Sequence, residues 1–192
     1  MKELIDQIKD KQLRDLTVIL IERYLKHILE MPSSLTRRYH PTGENEENHL
    51  KRTFYFAKHI IREFNLSEEE SDILLAASLL HDIGYYEFID TKRDPEQYQK
   101  LYPAGWNRSK EAYKYHPAIG MFIVGQEMLK KHIINPKIIR TALIISSHMD
   151  HWLGDYNPMP EDDLAVYLAL ADYFASRKDI IIKDLESCKN KW

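Results

Sequence analysis

Apolar side chains recur three and four positions apart through most of this chain, the spacing that lines one face of an α-helix, and the pattern predicts an all-α protein. A first helix is expected over about 2–30, interrupted near Lys9–Lys11 and stopped by Met31-Pro32, because the residue before a proline avoids helical angles. Its core side chains are Leu16, Ile19, Leu20 and Leu25. A second helix is predicted over about 44–64, with His49, Thr53, Phe56 and Ile60 on one stripe, so the histidine faces inward with the apolar residues. The third opens at Ser67, where Glu70 completes a capping-box pattern, and carries Ile73, Leu74, Ala77 and Leu80 up to His81. Gly84 then lets the chain turn.

From Glu87 to Asn107 the period is lost, and Asp94-Pro95, Tyr102-Pro103 and Ala104-Gly105 punctuate a polar, aromatic loop; a stretch of that length is a place to expect substrate-determining residues. A fourth helix should start near Ser109, kink or restart at Pro117, and continue to about Lys131. Pro136 suits the first turn of a fifth, reaching about Asp150, in which Thr141, Ile144 and Ile145 share a face with His148. After a loop through Gly154 and Pro158-Met159-Pro160, a last helix spaces Leu164, Leu168 and Asp172 by four. The carboxylate therefore points the same way as two core leucines.

That inward carboxylate has company. In Leu79-Leu80-His81-Asp82-Ile83-Gly84 an imidazole and a carboxylate stand side by side at the end of an apolar helix, where an unpaired charge costs several kcal/mol. A divalent cation is the partner that would also use the histidine. Further candidate ligands, His49, His116, His148 and Asp172, lie at steps of 32, 35, 32 and 24 residues along the series His49, His81, His116, His148, Asp172, about one helical hairpin per step. A bundle can converge them on one point. Each alone has a plainer reading, as a hydrogen-bonded core histidine or, for Asp172, as a buried partner of Arg52.

The ordered set His49, His81-Asp82, Asp172 resembles the HD superfamily of metal-dependent phosphohydrolases. His49 with Arg52 is similar to the family's opening histidine helix, Leu79 to Gly84 to its name-giving motif, and Ala171-Asp172-Tyr173 to its closing aspartate. His116-Pro117-Ala118-Ile119-Gly120 and Ser147-His148 are similar to the two extra histidines of binuclear members. The resemblance implies a single HD-type helical bundle over 1–192, with the motifs in about 44–177, residues 1–31 as a helical extension packing on it, and the metal site in the core. It implies His49, His81 and Asp172 on one ion, His116 and His148 on a second, and Asp82 between them. One or two divalent transition metals follow, manganese or iron first, with nickel, cobalt, zinc or magnesium open. The implied activity is hydrolysis of a phosphomonoester or phosphodiester of a nucleotide-like metabolite by a metal-activated hydroxide, with Asp82, His116 and Arg52 as catalytic residues. His116 is either a ligand or a donor to the leaving group. The HD-GYP branch does not fit, since this chain has His148-Met149 and Asp155-Tyr156-Asn157-Pro158 where that branch has paired histidines and Gly-Tyr-Pro.

Composition narrows the partners. The 192 residues are 44% hydrophobic, enough for one full core, and 27 basic against 30 acidic side chains give a net charge of −3. Extended nucleic acid is not an expected partner. The lone Cys188 forms no internal disulfide, the N-terminus is charged, and no run of about 20 apolar residues could cross a bilayer, so a soluble cytoplasmic protein is expected; homo-oligomerisation stays open. Phosphate could be met by Arg52, Lys92, Arg93, Arg108, Lys110 or Lys114, and a base by Tyr85, Tyr86, Trp106, Tyr113 or Tyr115. His27, His40, His59 and His132 read as solvated, while His151 is a reserve ligand. Two other functions share much of the pattern: a mixed-valent di-iron oxygenase of the HD fold, and a non-catalytic signalling or binding module, which the complete ligand set disfavours.

Overall fold

The computed structural model describes residues 1–31, 33, 44–88, 110–149 and 162–180. Among them are seven α-helices and no strand: α1 (Lys2–Ile5), α2 (Lys11–Arg23), α3 (Glu46–Glu63), α4 (Glu68–Leu80), α5 (Lys110–Lys130), α6 (Pro136–Ser147) and α7 (Asp163–Ala175). Two 3₁₀ segments, Leu25–His27 and Ile83–Phe88, join the set. The expected all-α bundle is the observed one.

α4 is the central helix. Every residue from Asp72 to Leu80 is buried, and α2, α3, α6 and α7 pack around it while α5 lies along α6 and the 83–88 segment. Its start is set as the sequence predicts: the Ser67 side chain accepts from the Glu70 N–H, and the Glu70 carboxylate accepts from the Ser67 N–H at 2.9 Å. Burial all round means that the stripe Ile73, Leu74, Ala77, Leu80 understates the core, because Leu75, Ala76 and Leu79 are enclosed as well.

The first predicted helix is interrupted where expected, before Lys11, and divides once more after Arg23, so it is three pieces. Asp72 of α4 accepts the backbone N–H groups of Lys9 and Asp10 at 2.8 and 2.7 Å, donors that an unbroken helix would have turned back on itself. Asp10 then opens α2 by accepting from the Leu13 N–H at 2.9 Å. At the far end the carbonyls of Leu29 and Met31 accept from the N–H groups of Glu47 and Glu46, so they serve the first turn of α3 rather than prolong their own helix. Leu13, Leu16, Thr17 and Leu20 form the inner face of α2. Ile19, expected in the core, is half-exposed because it lies more than a quarter-turn from that face.

Of the expected kink or restart at Pro117, the restart does not occur: α5 is one helix from Lys110 to Lys130. The helix runs through it, and the reason belongs to the site below. Asn135 caps α6 with Pro136 at its first position, and Asp162 caps α7 through the Leu164 N–H while its carboxylate holds Arg140 at 2.7 Å. Among the described residues no helix is long and apolar enough to cross a membrane.

α5 carries one buried charge that the sequence reading passed over. Glu127 is enclosed and accepts from Tyr24 and Lys130, each at 2.8 Å, and from Arg23, which ties α2 to α5. Burial alone would raise its pKa, but Lys130, Tyr24 and Arg23 together bring it from 4.5 to about 2. The stabilisation this provides is complete above pH 4.5 and disappears as pH falls through about 2. Glu127→Gln should therefore cost on the order of 2–3 kcal/mol at pH 7, a figure discounted because Arg23 and Lys130 are half in solvent. Denaturant titrations at several pH values check this: the wild-type advantage should narrow steadily in acid.

Candidate metal centre

Three of the four candidate histidines are aimed by carbonyls that helix geometry leaves open. His81 and His148 are the C-cap residues of α4 and α6, and each ring reaches back three residues: Nδ1 of His81 donates to the Ser78 carbonyl at 3.1 Å, and Nδ1 of His148 to that of Ile145 at 2.7 Å. Helix ends strand such carbonyls. His116 lies within α5, where no stranded carbonyl is expected, but Pro117 follows it. Proline has no N–H for the carbonyl of Tyr113, and Nδ1 of His116 donates there at 3.0 Å and to Ala112 at 3.1 Å. The side chain supplies what the proline lacks, so α5 continues.

Because a carbonyl oxygen only accepts, these three rings carry their proton on Nδ1 and turn an Nε2 lone pair to the middle of the bundle. Nε2 of His116 faces Nε2 of His148 at 3.2 Å, and Nε2 of His49 faces that of His81 at 3.3 Å. Asp82 sits between the pairs. Its Oδ1 is 3.1 Å from Nε2 of His116, and its Oδ2 is 3.5 and 3.7 Å from His81 and His49. Asp172 closes the other side, with Oδ1 3.1 Å from His49 and 3.7 Å from His81. His49, His81, His116, His148 and Asp82 are buried, and the Asp172 side chain is 14% exposed.

The six side chains supply nitrogen and oxygen donors within 4.8 Å of one another in three overlapping groups: His49, His81, Asp82; His81, His148, Asp172; and Asp82, His116, His148. Donors about 2.1 Å from a first-row ion stand about 3.0–3.4 Å from each other, so the spacing suits a cation. The donor chemistry agrees, since two neutral imidazole lone pairs at 3.2 Å repel unless a positive charge lies between them. Burial, with His116 and His81 nearby, pushes His148 down to about 3, so that ring does not supply the charge as a proton at neutral pH. Burial also depresses His81. His49 behaves differently: burial lowers its pKa, yet the hydrogen bond and charge of Asp172, with Asp82, outweigh it and leave the pKa raised, while His49 and His81 hold the Asp172 carboxyl well below the usual range despite its burial.

Local packing holds the His81-Asp82 turn against α5. A Cβ on Gly84 would lie 1.9 Å from the His116 carbonyl oxygen and 2.8 Å from the Gly120 nitrogen, so only glycine fits. Tyr85, offered by the sequence as a base-stacking residue, is instead fully buried and stacks on the His116 ring at 4.0 Å with a 13° interplanar angle. Arg52 stands apart from the six. Its guanidinium donates to the carbonyls of Ala175 (3.0 Å), Arg177 (2.8 Å) and Ile180 (3.3 Å) and lies 3.3 Å from Glu44, so it holds the C-terminal end of the Asp172 helix rather than presenting its charge to a ligand. Asp172 is thus no partner of Arg52.

Among the remaining candidates, Lys114 is exposed over the Tyr115 ring, and Tyr113 and Tyr115 are exposed. His27 and His132 are exposed and His59 is half-buried. His40, Lys92, Arg93, Trp106, Arg108 and His151 lie outside the described residues, as does most of the 87–107 loop. Glu127 was legible after all, for it repeats the inward stripe of His116, Gly120 and Ile123.

A helical bundle with six histidine and aspartate side chains around a buried centre is the framework of a metalloprotein. The family model of the HD domain matches residues 47–177, and the chain belongs to that family, part of a superfamily of metal-dependent hydrolases. Comparison with curated proteins and with solved structures gives no match.

Two substitutions probe how the centre is held. Pro117→Ala restores an N–H for the Tyr113 carbonyl and sets it against Nδ1 of His116; helix stability should hold or rise while affinity for divalent metal falls about 10–100-fold. Titration calorimetry against thermal unfolding separates the two effects, and an unchanged affinity would show that Ala112 alone aims the ring. Gly84→Ala should lower stability by about 3 kcal/mol in denaturant titration, because backbone rather than a flexible side chain blocks the new methyl.

Proposed function

We propose that this protein is a metal-dependent phosphohydrolase acting on a phosphomonoester or phosphodiester of a small, nucleotide-like metabolite. The observation that carries the proposal is Asp82, whose two carboxylate oxygens face different histidine pairs across a buried centre. In this reading His49, His81 and Asp172 would hold one divalent cation and His116 and His148 a second, with Asp82 placed to serve either. Manganese or iron suits mixed nitrogen and oxygen donors better than magnesium does. Bound cations supply Lewis acidity toward a phosphoryl oxygen and lower the pKa of water at the site.

The protein's own side chains orient and exclude. Stacking on Tyr85 and the two carbonyl bonds fix the plane of the His116 ring, so its Nε2 offers a lone pair rather than a proton. That supports a ligand role over leaving-group protonation. Asp172, the most open of the six, marks the side from which a substrate reaches the centre. Arg52 acts as a positioning residue by tying down the end of α7 that carries Asp172. The low exposure of the other five keeps bulk water from competing for the cations.

His81→Ala and Asp82→Ala should each abolish both bound metal and phosphate release with helical content unchanged. Elemental analysis, circular dichroism and a phosphoester panel with manganese, iron or nickel under anaerobic conditions test this together. Oxygen uptake by an iron-loaded protein with no phosphate release would overturn the hydrolase reading in favour of an oxygenase. Removal of metal by chelation should also lower the unfolding temperature, because a ligand bound only to the folded chain stabilises it.

A further inference from the structure

Between Tyr115 and Leu129, α5 buries one face and leaves the opposite one uncharged. His116, Gly120, Ile123 and Glu127 point into the bundle, whereas Tyr115, Ala118, Phe122, Gly125, Gln126 and Leu129 line the outer side. Phe122 is 62% exposed and Leu129 68%. Five of these positions follow a seven-residue repeat, with the large residues at 115, 122 and 129 and the small ones at 118 and 125. Ile119, Met121 and Met128, which flank the stripe, carry no charge either.

Gly125 is the telling residue. A Cβ there would meet nothing within 4 Å, so neither packing nor backbone conformation inside the protein calls for glycine. Glycine in a helix interior is destabilising relative to alanine, and its use at an open surface position is explained when another backbone or a bulky side chain approaches from outside. Gly120 makes the contrast, because its Cβ would press on Ile145 and Ile83 at 3.1 and 3.3 Å.

We propose that this face of α5 is a two-fold homodimer interface, in which α5 packs antiparallel on α5 of a second copy. With the axis between residues 123 and 124, Phe122 lies over the partner's Gly125 and Leu129 over the partner's Ala118, and symmetry repeats both contacts. Each layer then sets a large side chain against a small one, which is the self-complementarity that an isologous interface requires. The extent of the surface agrees. Tyr115, Phe122 and Leu129 are 47%, 62% and 68% exposed, together roughly 400 Å² of largely apolar surface, which is most of the apolar share of the about 800 Å² per partner of a stable interface. No lysine of the stripe's ends meets a lysine in this register, so nothing electrostatic opposes it.

Sedimentation equilibrium on the full chain reads the outcome. The wild type should be a dimer at tens of micromolar, and Phe122→Asp should weaken association about a hundredfold with metal content and helical signal unchanged. Should Phe122→Asp fail to fold, Gly125→Leu keeps the test open: it meets no internal neighbour, so it should raise monomer stability while blocking the dimer. With Cys188 replaced by serine, Ala118→Cys combined with Leu129→Cys should give an oxidised, cross-linked dimer, because the two positions lie three helical turns apart within one chain and cannot join there. A wild type that is monomeric at that concentration, or a dimer indifferent to Phe122→Asp and Gly125→Leu, overturns the proposal. None of these readings depends on hydrolytic activity.

Discussion

Lone pairs that face one another across 3.2 Å in a dry core set the terms for everything around them. Such an arrangement is unfavourable unless positive charge enters, and the two halves of the centre differ in how they can obtain it. On the His49 side a proton can serve, since Asp172 raises the affinity of His49 for one and the two sit 3.1 Å apart. At His148, burial and the neighbouring rings oppose a proton and hold its pKa near 3. A metal cation meets the need of both halves at once, and folding and metal binding are linked through it.

What makes a helical bundle suitable is the supply of unused carbonyls. Two ligand histidines end their helices and turn back on carbonyls stranded by the termination; a third sits mid-helix and uses one released by the next residue, Pro117. Each ring is thereby held in one tautomer by a contact within its own segment. Long-range packing then has only to bring pre-aimed donors together, which α4 does from the middle of the bundle and Gly84 does at the closest approach of the 83–88 segment to α5.

This division explains what could be read from the chain directly. The helices around His49, Leu80 and Asp172 were legible because apolar spacing is local and strongly periodic there, and the six candidate donors were legible because they all fall on inward stripes. Tertiary partners were not. The break before α2 depends on Asp72, more than sixty positions away in the chain, accepting the N–H groups of Lys9 and Asp10. Arg52 carries the residue type and spacing of a phosphate contact, but only folding reveals that carbonyls at the end of α7 occupy it. Pro117 misled for a similar reason: the rule that proline breaks a helix assumes that nothing else will satisfy the orphaned carbonyl, and the preceding histidine does.

α5 joins these themes, since its sequence is apolar almost all the way round while the fold buries only half of it. A helix of that composition ordinarily lies inside a protein. Here the inner half is accounted for residue by residue: His116 to the centre, Gly120 to Ile83 and Ile145, Glu127 to Arg23, Tyr24 and Lys130. No comparable account exists within the described residues for Phe122, Gly125 and Leu129, whose alternation of bulk and absence of bulk has no use on a face turned to water. Because the same helix carries His116, a surface that fixes α5 from outside also steadies the ring that the tautomer argument requires to be still.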